Sequence, residues 1–234
     1  MIDITYDFRT DSHGKDPDTH SATLRKYHQI LWSKELPNGR ELVLDDNLRN
    51  VSNVGNFEFS SDSIIHTFSK WKRMSKIISE IPSKSIEDFV GLAYTIGGMT
   101  IFPSSKVDGR KTINGERGLN HKINDRIDLT LECIRRYYLD EESPMTECLN
   151  AYSDFFSLFC DFKGYVNFFF FQDLVTEDYK EIKFLYPFEN FKCNSLPKTK
   201  EEYEKYKNNT MLFINKRNNR IDDWQKENIN FSAI

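Results

Sequence analysis

Two segments of this 234-residue chain carry residue types that do chemistry. The first runs from Asp7 to His20 and holds Asp7, Arg9, Asp11, His13, Lys15, Asp16, Asp18 and His20 within fourteen positions. Its carboxylates at Asp7 and Asp11 suit a hard cation such as Mg²⁺ or a general base, whereas Arg9 and Lys15 suit an anion. The second, Thr112 to Tyr138, reads TINGERGLNHKINDRIDLTLECIRRYY. Asn114, Glu116, Arg117, Asn120 and His121 precede a helix start, where free amides and the dipole favour negative charge. Arg117 and Arg126 can clamp an anion bidentately, which lysine does less well. The expectation is a cleft between the two segments that binds a phosphate-bearing small molecule, a nucleotide. Arg9, Lys15, Arg117 and Arg126 then bind the anion and Asn114 orients it. Asp7 or Asp11 holds a metal or acts as a base.

Both clusters also have a structural reading. The N-terminal loop can be a solvated segment tied down by its own ion pairs, and Asn124 or Asp125 can simply cap the following helix while Arg117 pairs with Asp125 or Asp128. His13 and His20 could ligate a metal with Asp16 or Asp18, although no cysteine supports them. Arg117 and His121, with three residues between them and Gly118 interrupting, fit poorly the Arg–His pair of the HEPN helical ribonucleases, which has four to six. A nuclease would need His121 as its catalytic residue. There is no G-x-x-x-x-G-K-[ST] loop, no G-x-G-x-x-G after a strand, no G-x-S-x-G elbow and no H-E-x-x-H pair.

The elements that must position these residues are legible from periodicity. Ile2, Ile4, Tyr6 and Phe8 alternate with polar residues as in a strand. Ser21 caps a helix through Ser33, with Leu24, Tyr27, Ile30 and Leu31 on one face. Glu41 to Asp45 and Asn56 to Ser60 read as short strands, and Ser61 or Asp62 opens a helix carrying Ile64, Ile65, Phe68, Trp71, Ile77 and Ile78. A further helix starts at Ser85 and stops at Gly97 and Gly98, before a strand from Met99 to Phe102. His28 and His66 fall on helical faces among apolar neighbours and read as near-core side chains. The spacing predicts a helix from Asp125 to Tyr138, with Glu132 and Arg136 paired on its surface. Two aromatic helices over 145–160 and 162–174 supply a phenylalanine spine that reads as core and not as a base-stacking platform. Glu181 to Tyr186 reads as a strand. Pro197 opens a last helix from about Lys200 to Asn228, whose thin apolar content predicts a partly exposed far end. Together these predict a helix-rich α+β single domain, residues 1–234, with a few short strands and an aromatic core.

Composition bounds the rest. A net charge of −4 and a pI near 5.8 argue against general nucleic-acid binding. The four cysteines, Cys133, Cys148, Cys160 and Cys193, lack C-x-x-C spacing and read as reduced core thiols. The start has no basic-then-apolar leader, and the longest apolar run is far too short to span a membrane. A cytoplasmic location is expected.

The blocks DFRTDS, HGKDPD, HSATLRKYHQILWSK, SDSIIHTF, GRKTINGERG, INDRIDLTLECIRRYY, FKGYVNFFFFQDLV and FINKRNNRI together resemble a bacterial family of unknown function over nearly the whole chain. The resemblance implies a single-domain bacterial protein and supplies no catalytic residue. Two further readings stand beside the nucleotide-binding one. The first is a protein-interaction or regulatory module, defence-associated, whose C-terminal helix docks on a partner protein. The second is an RNA-processing nuclease. Enzyme and binding protein are both compatible with these residues.

Overall fold

The computed structural model describes residues 1–192 and 195–229, and it is helix-rich α+β. The chain enters through tight turns and a short helix, α1 (Pro17–His20), then α2 (Ala22–Trp32), capped by the Ser21 hydroxyl accepting from the Leu24 amide at 3.0 Å. An antiparallel pair follows in two pieces, β1 (Phe59–Ser63) and β2 (Met99–Pro103), in a register that sets Asp62 opposite Thr100. Between them lie α3 (Ser75–Ser79) and α4 (Ser83–Ala93). After β2 come α5 (Ile113–Leu119) and α6 (Ile127–Tyr138). Three short helices follow: α7 (Thr146–Ala151), α8 (Ser153–Ser157) and α9 (Phe162–Phe168). The chain then reaches the long α10 (Lys200–Ile229).

The aromatic spine is core, as its spacing predicts. Phe155, Phe156, Phe159, Tyr165, Phe169 and Phe171 are essentially inaccessible, with ring centroids 4.9 to 6.5 Å apart in edge-on and tilted pairs and, where Phe171 meets Tyr165 and Phe169, stacked ones. Each such ring contributes about 1.5–3 kcal/mol through burial alone.

Several expectations are corrected. Residues 2–8 form turns and not a strand. Their alternation buries Ile2 and Phe8, and the Ile2 backbone is taken up by Gln225, which accepts its N–H at 2.7 Å and donates to its carbonyl at 2.9 Å. The segments 41–45 and 181–186 make only isolated bridges, Glu35 with Glu41, Leu44 with Asn50 and Val175 with Ile182. No helix begins at Ser61, because the backbone there pairs with the fully buried MTIFP of β2 and demand from the neighbouring strand overrides local pattern. Glu132 is buried and accepts from both Arg135 and Arg136, so the expected surface pair is an interior clamp.

The far end of α10 is partly exposed, at Lys226, Glu227 and Asn228, but its body is not. Tyr203, Tyr206, Ile214, Arg217 and Ile221 are all fully buried, and Gln225 nearly so. Arg217 donates to the carbonyls of Phe169, Gly97 and Met99 at 2.7 to 3.1 Å, so a helix that looks too polar for a core satisfies its interior polar groups against backbone. Cys133 and Cys148 are buried thiols as expected, Cys160 is exposed, and Cys193 lies outside the described residues.

Candidate functional site

The polar strand β1 organises the site. Alternation along it sends Phe59 and Ser61 to one face and Ser60 and Asp62 to the other. On the first face the Ser61 hydroxyl meets His28 Nε2 at 2.8 Å, and His28 Nδ1 accepts the Trp32 indole at 2.8 Å, so His28 is a satisfied core residue. On the second face Ser60 Oγ accepts from Asn114 Nδ2 at 2.9 Å, and Asp62 takes the Arg117 guanidinium in an ion pair. Beyond Ser63 the chain leaves the sheet as the loop SIIHTFSKW, which α10 holds in place. Tyr206 donates its hydroxyl to the His66 carbonyl at 2.9 Å, and Tyr203 donates to the Thr67 carbonyl at 2.7 Å.

This loop walls a cavity of about 330 Å³, near the lower end of ligand-binding pockets. Arg9 of the N-terminal segment and Tyr94 at the end of α4 form one side; Ser63, His66, Thr67, Ser69, Lys70 and Trp71 form another; Asp62 and Asp125 contribute carboxylates. Asn124 and Asp125 both adopt left-handed backbone, φ 49° and 56°, a conformation these two residue types tolerate best. The kink delivers the Asp125 carbonyl to Arg117 Nη2 at 3.1 Å while its carboxylate lines the cavity.

The charges are unevenly committed. Arg9 is about half exposed and pairs with Asp7 while stacking over Tyr94, 5.2 Å from the ring centroid. Lys70 is exposed. Burial pushes the Asp62 carboxyl up to about 7, opposed by Arg117 and reinforced by Asp125. Behind it, burial and the fields of Asp62 and Asp16 push Asp18 up to about 7, and its Oδ1 has no hydrogen-bond partner. Burial also lowers His66, with Asp125 opposing. The cavity thus sets cations at its rim against carboxylates deeper in, with an indole and a phenol between them.

The model of a family of unknown function, DUF6994, matches residues 2–221. The chain belongs to that family. No curated protein and no solved structure matches it. The matched span of this DUF6994 member includes every residue lining the cavity.

Of the residues predicted from sequence, only Arg9 lines this cavity, and Asp7 stands beside it as its ion-pair partner. Asp11 serves as a brace, accepting from the Ser21 hydroxyl at 2.6 Å and the Thr23 amide at 3.0 Å. Lys15 is exposed, and neither it nor Asn114 lines the cavity. Arg117 is wholly buried and fully engaged: besides Asp62 it donates to Thr130 Oγ1 at 3.1 Å and to the carbonyls of Ser63, Ile64 and Asp125. Arg126 is likewise internal, paired with Asp128 and donating to the carbonyls of Ser195 and Tyr186. Both guanidiniums are therefore spent on the fold. His121 is exposed beyond the end of α5 and does not share the cavity with Arg117. Among the described residues no group of three His, Cys, Asp or Glu side chains is placed to hold a metal ion. No helix among them is long and apolar enough to cross a membrane.

Sequence reasoning missed Asp62, His66, Lys70, Trp71, Tyr94 and the role of Asp125. The run SDSIIHTFSKW, dense in hydroxyls, a histidine and a tryptophan between two apolar anchors, was the available signal. Reading it as a helix hid that its polar groups share one wall.

Proposed function

We propose that this protein binds a phosphate-bearing small molecule, a mononucleotide, in the cavity between the N-terminal segment and the Asp125 kink. The observation that carries the reading is the pairing, within about 330 Å³, of rim cations with interior carboxylates around an indole. Arg9 and Lys70 suit the phosphate, Asp62 and Asp125 suit sugar hydroxyl or base amine donors, and Trp71 offers a face for the base. Arg117 supports the site indirectly, by holding Asp62 and the Asp125 backbone.

A thermal-shift screen with AMP, GMP and inorganic phosphate, each with and without Mg²⁺, tests this. Ligand at about a hundred times its Kd stabilises by roughly 2.7 kcal/mol, a rise of several degrees for a chain of this size. The shift should shrink in Arg9→Ala and Lys70→Ala. No shift with any probe refutes the proposal.

A further inference from the structure

His66 sits between two N–H groups. The Phe68 amide points at Nδ1 from 2.8 Å and the Trp71 indole N–H points at Nε2 from 2.8 Å. A neutral imidazole has a proton on one nitrogen and a lone pair on the other, so it accepts only one of these donors. Protonating the ring makes both contacts unfavourable, and burial opposes it. One N–H must therefore yield.

The Phe68 amide is the fixed member. It belongs to a turn in which Phe68 has φ 57° and its own side chain is fully buried, and Tyr203 and Tyr206 pin the flanking carbonyls. Trp71 is half-buried at the cavity wall and can move by rotation about its side chain alone. We propose that His66 Nε2–H and Trp71 Nε1–H form a donor pair for one oxyanion oxygen of the ligand. The oxygen enters between them as the indole swings outward. An oxygen accepting both hydrogen bonds at about 2.9 Å holds the two nitrogens roughly 4–5 Å apart, so the swing is on the order of 2 Å. Thr67 and Ser69, which share a hydrogen bond at 3.0 Å on the same loop, line the same cavity, and Lys70 supplies the countercharge. This deepens the nucleotide reading and rests on it. The phosphate is recognised by SIIHTFSKW, and Trp71 reports its arrival.

Two measurements test the pair. Long-range ¹H–¹⁵N spectra of histidine-labelled free protein at neutral pH should show His66 as the Nε2–H tautomer, with Nδ1 bare. The Nδ1–H tautomer would overturn the inference without any ligand. Titration with AMP and with adenosine then compares wild type and Trp71→Phe, which keeps an aromatic face but loses the N–H. AMP should bind the variant about tenfold or more weakly, in line with loss of a hydrogen bond to a charged group. Adenosine affinity should fall much less than AMP affinity, because the phenyl ring keeps an aromatic face for the base while only the phosphate loses a donor. Equal AMP affinity in both proteins sinks the donor pair and leaves the nucleotide site standing; no binding of AMP or inorganic phosphate by wild type sinks both.

Discussion

Replacing Arg117 by alanine should cripple the fold before it affects any ligand. The guanidinium is fully buried and makes an ion pair with Asp62, a bond to Thr130 and three bonds to carbonyls of β1's exit and the Asp125 kink. Its loss leaves a largely buried carboxylate unpaired and three carbonyls without a donor. Breaking one side of a buried pair costs about 3–5 kcal/mol. At about 2–4 °C per kcal/mol for a chain of this length, Tm should fall by roughly 6–20 °C. Asp62→Asn should cost less, because the guanidinium keeps its carbonyl acceptors just as Arg217 is held by backbone carbonyls without a carboxylate. Urea unfolding followed by tryptophan fluorescence measures both, and the double variant gives the coupling. A loss below about 1 kcal/mol for Arg117→Ala, or a larger loss for Asp62→Asn than for Arg117→Ala, refutes the view that this arginine is a fold element.

The raised Asp18 carboxyl predicts an acid-side slope: between its ordinary value of 3.8 and about 7 the folded chain holds a proton that the unfolded chain has lost. Its contribution to stability is complete below that window and disappears as pH rises through it, at up to about 1.4 kcal/mol per pH unit. Asp18→Asn should flatten that slope in pH-dependent urea titrations. Lys34 donates to the Phe168 carbonyl at 2.6 Å inside a cage of Trp32, Phe168, Phe170 and Trp224, and burial with Arg217 nearby pushes it down to about 7. Its folded form holds fewer protons between about 7 and 10.5, so stability should rise with pH across that window in wild type and rise less steeply in Lys34→Met. Gly98→Ala should unfold the turn into β2, because a Cβ there collides with the Ala93 carbonyl; circular dichroism melts should show a loss of several degrees, and an unchanged Tm contradicts the packing.

What the sequence revealed follows from how local each signal is. The α6 pattern and the phenylalanine run carry their period within themselves: α6 stands close to its expected bounds, and the aromatic residues are core, although the expected 145–160 helix is split into α7 and α8 and the expected 162–174 helix ends at Phe168. β1 does not carry its own period. Only Phe59 and Ser60 fall within the strand expected over 56–60, and the polar Ser61–Ser63 becomes strand through pairing with β2, some forty residues on. Charge was misleading in the same way. Arg117 and Arg126 have the composition of an anion clamp, but the carbonyls that consume them come from residues 53 to 69 positions away, or from turns whose left-handed kink no periodicity encodes. The cavity was half legible, through Arg9 and the expected meeting of two segments. Its loop wall was hidden by a helical reading.

The Arg217 junction also bears on how the chain is made. Its guanidinium ties Gly97, Met99 and Phe169 together from a position 48 to 120 residues downstream. During synthesis, the aromatic interior assembled from earlier segments must wait for α10 to leave the ribosome before those carbonyls find their donor. Nascent chains stalled ahead of α10 should therefore be preferred clients of holdase chaperones, and release should coincide with emergence of the arginine.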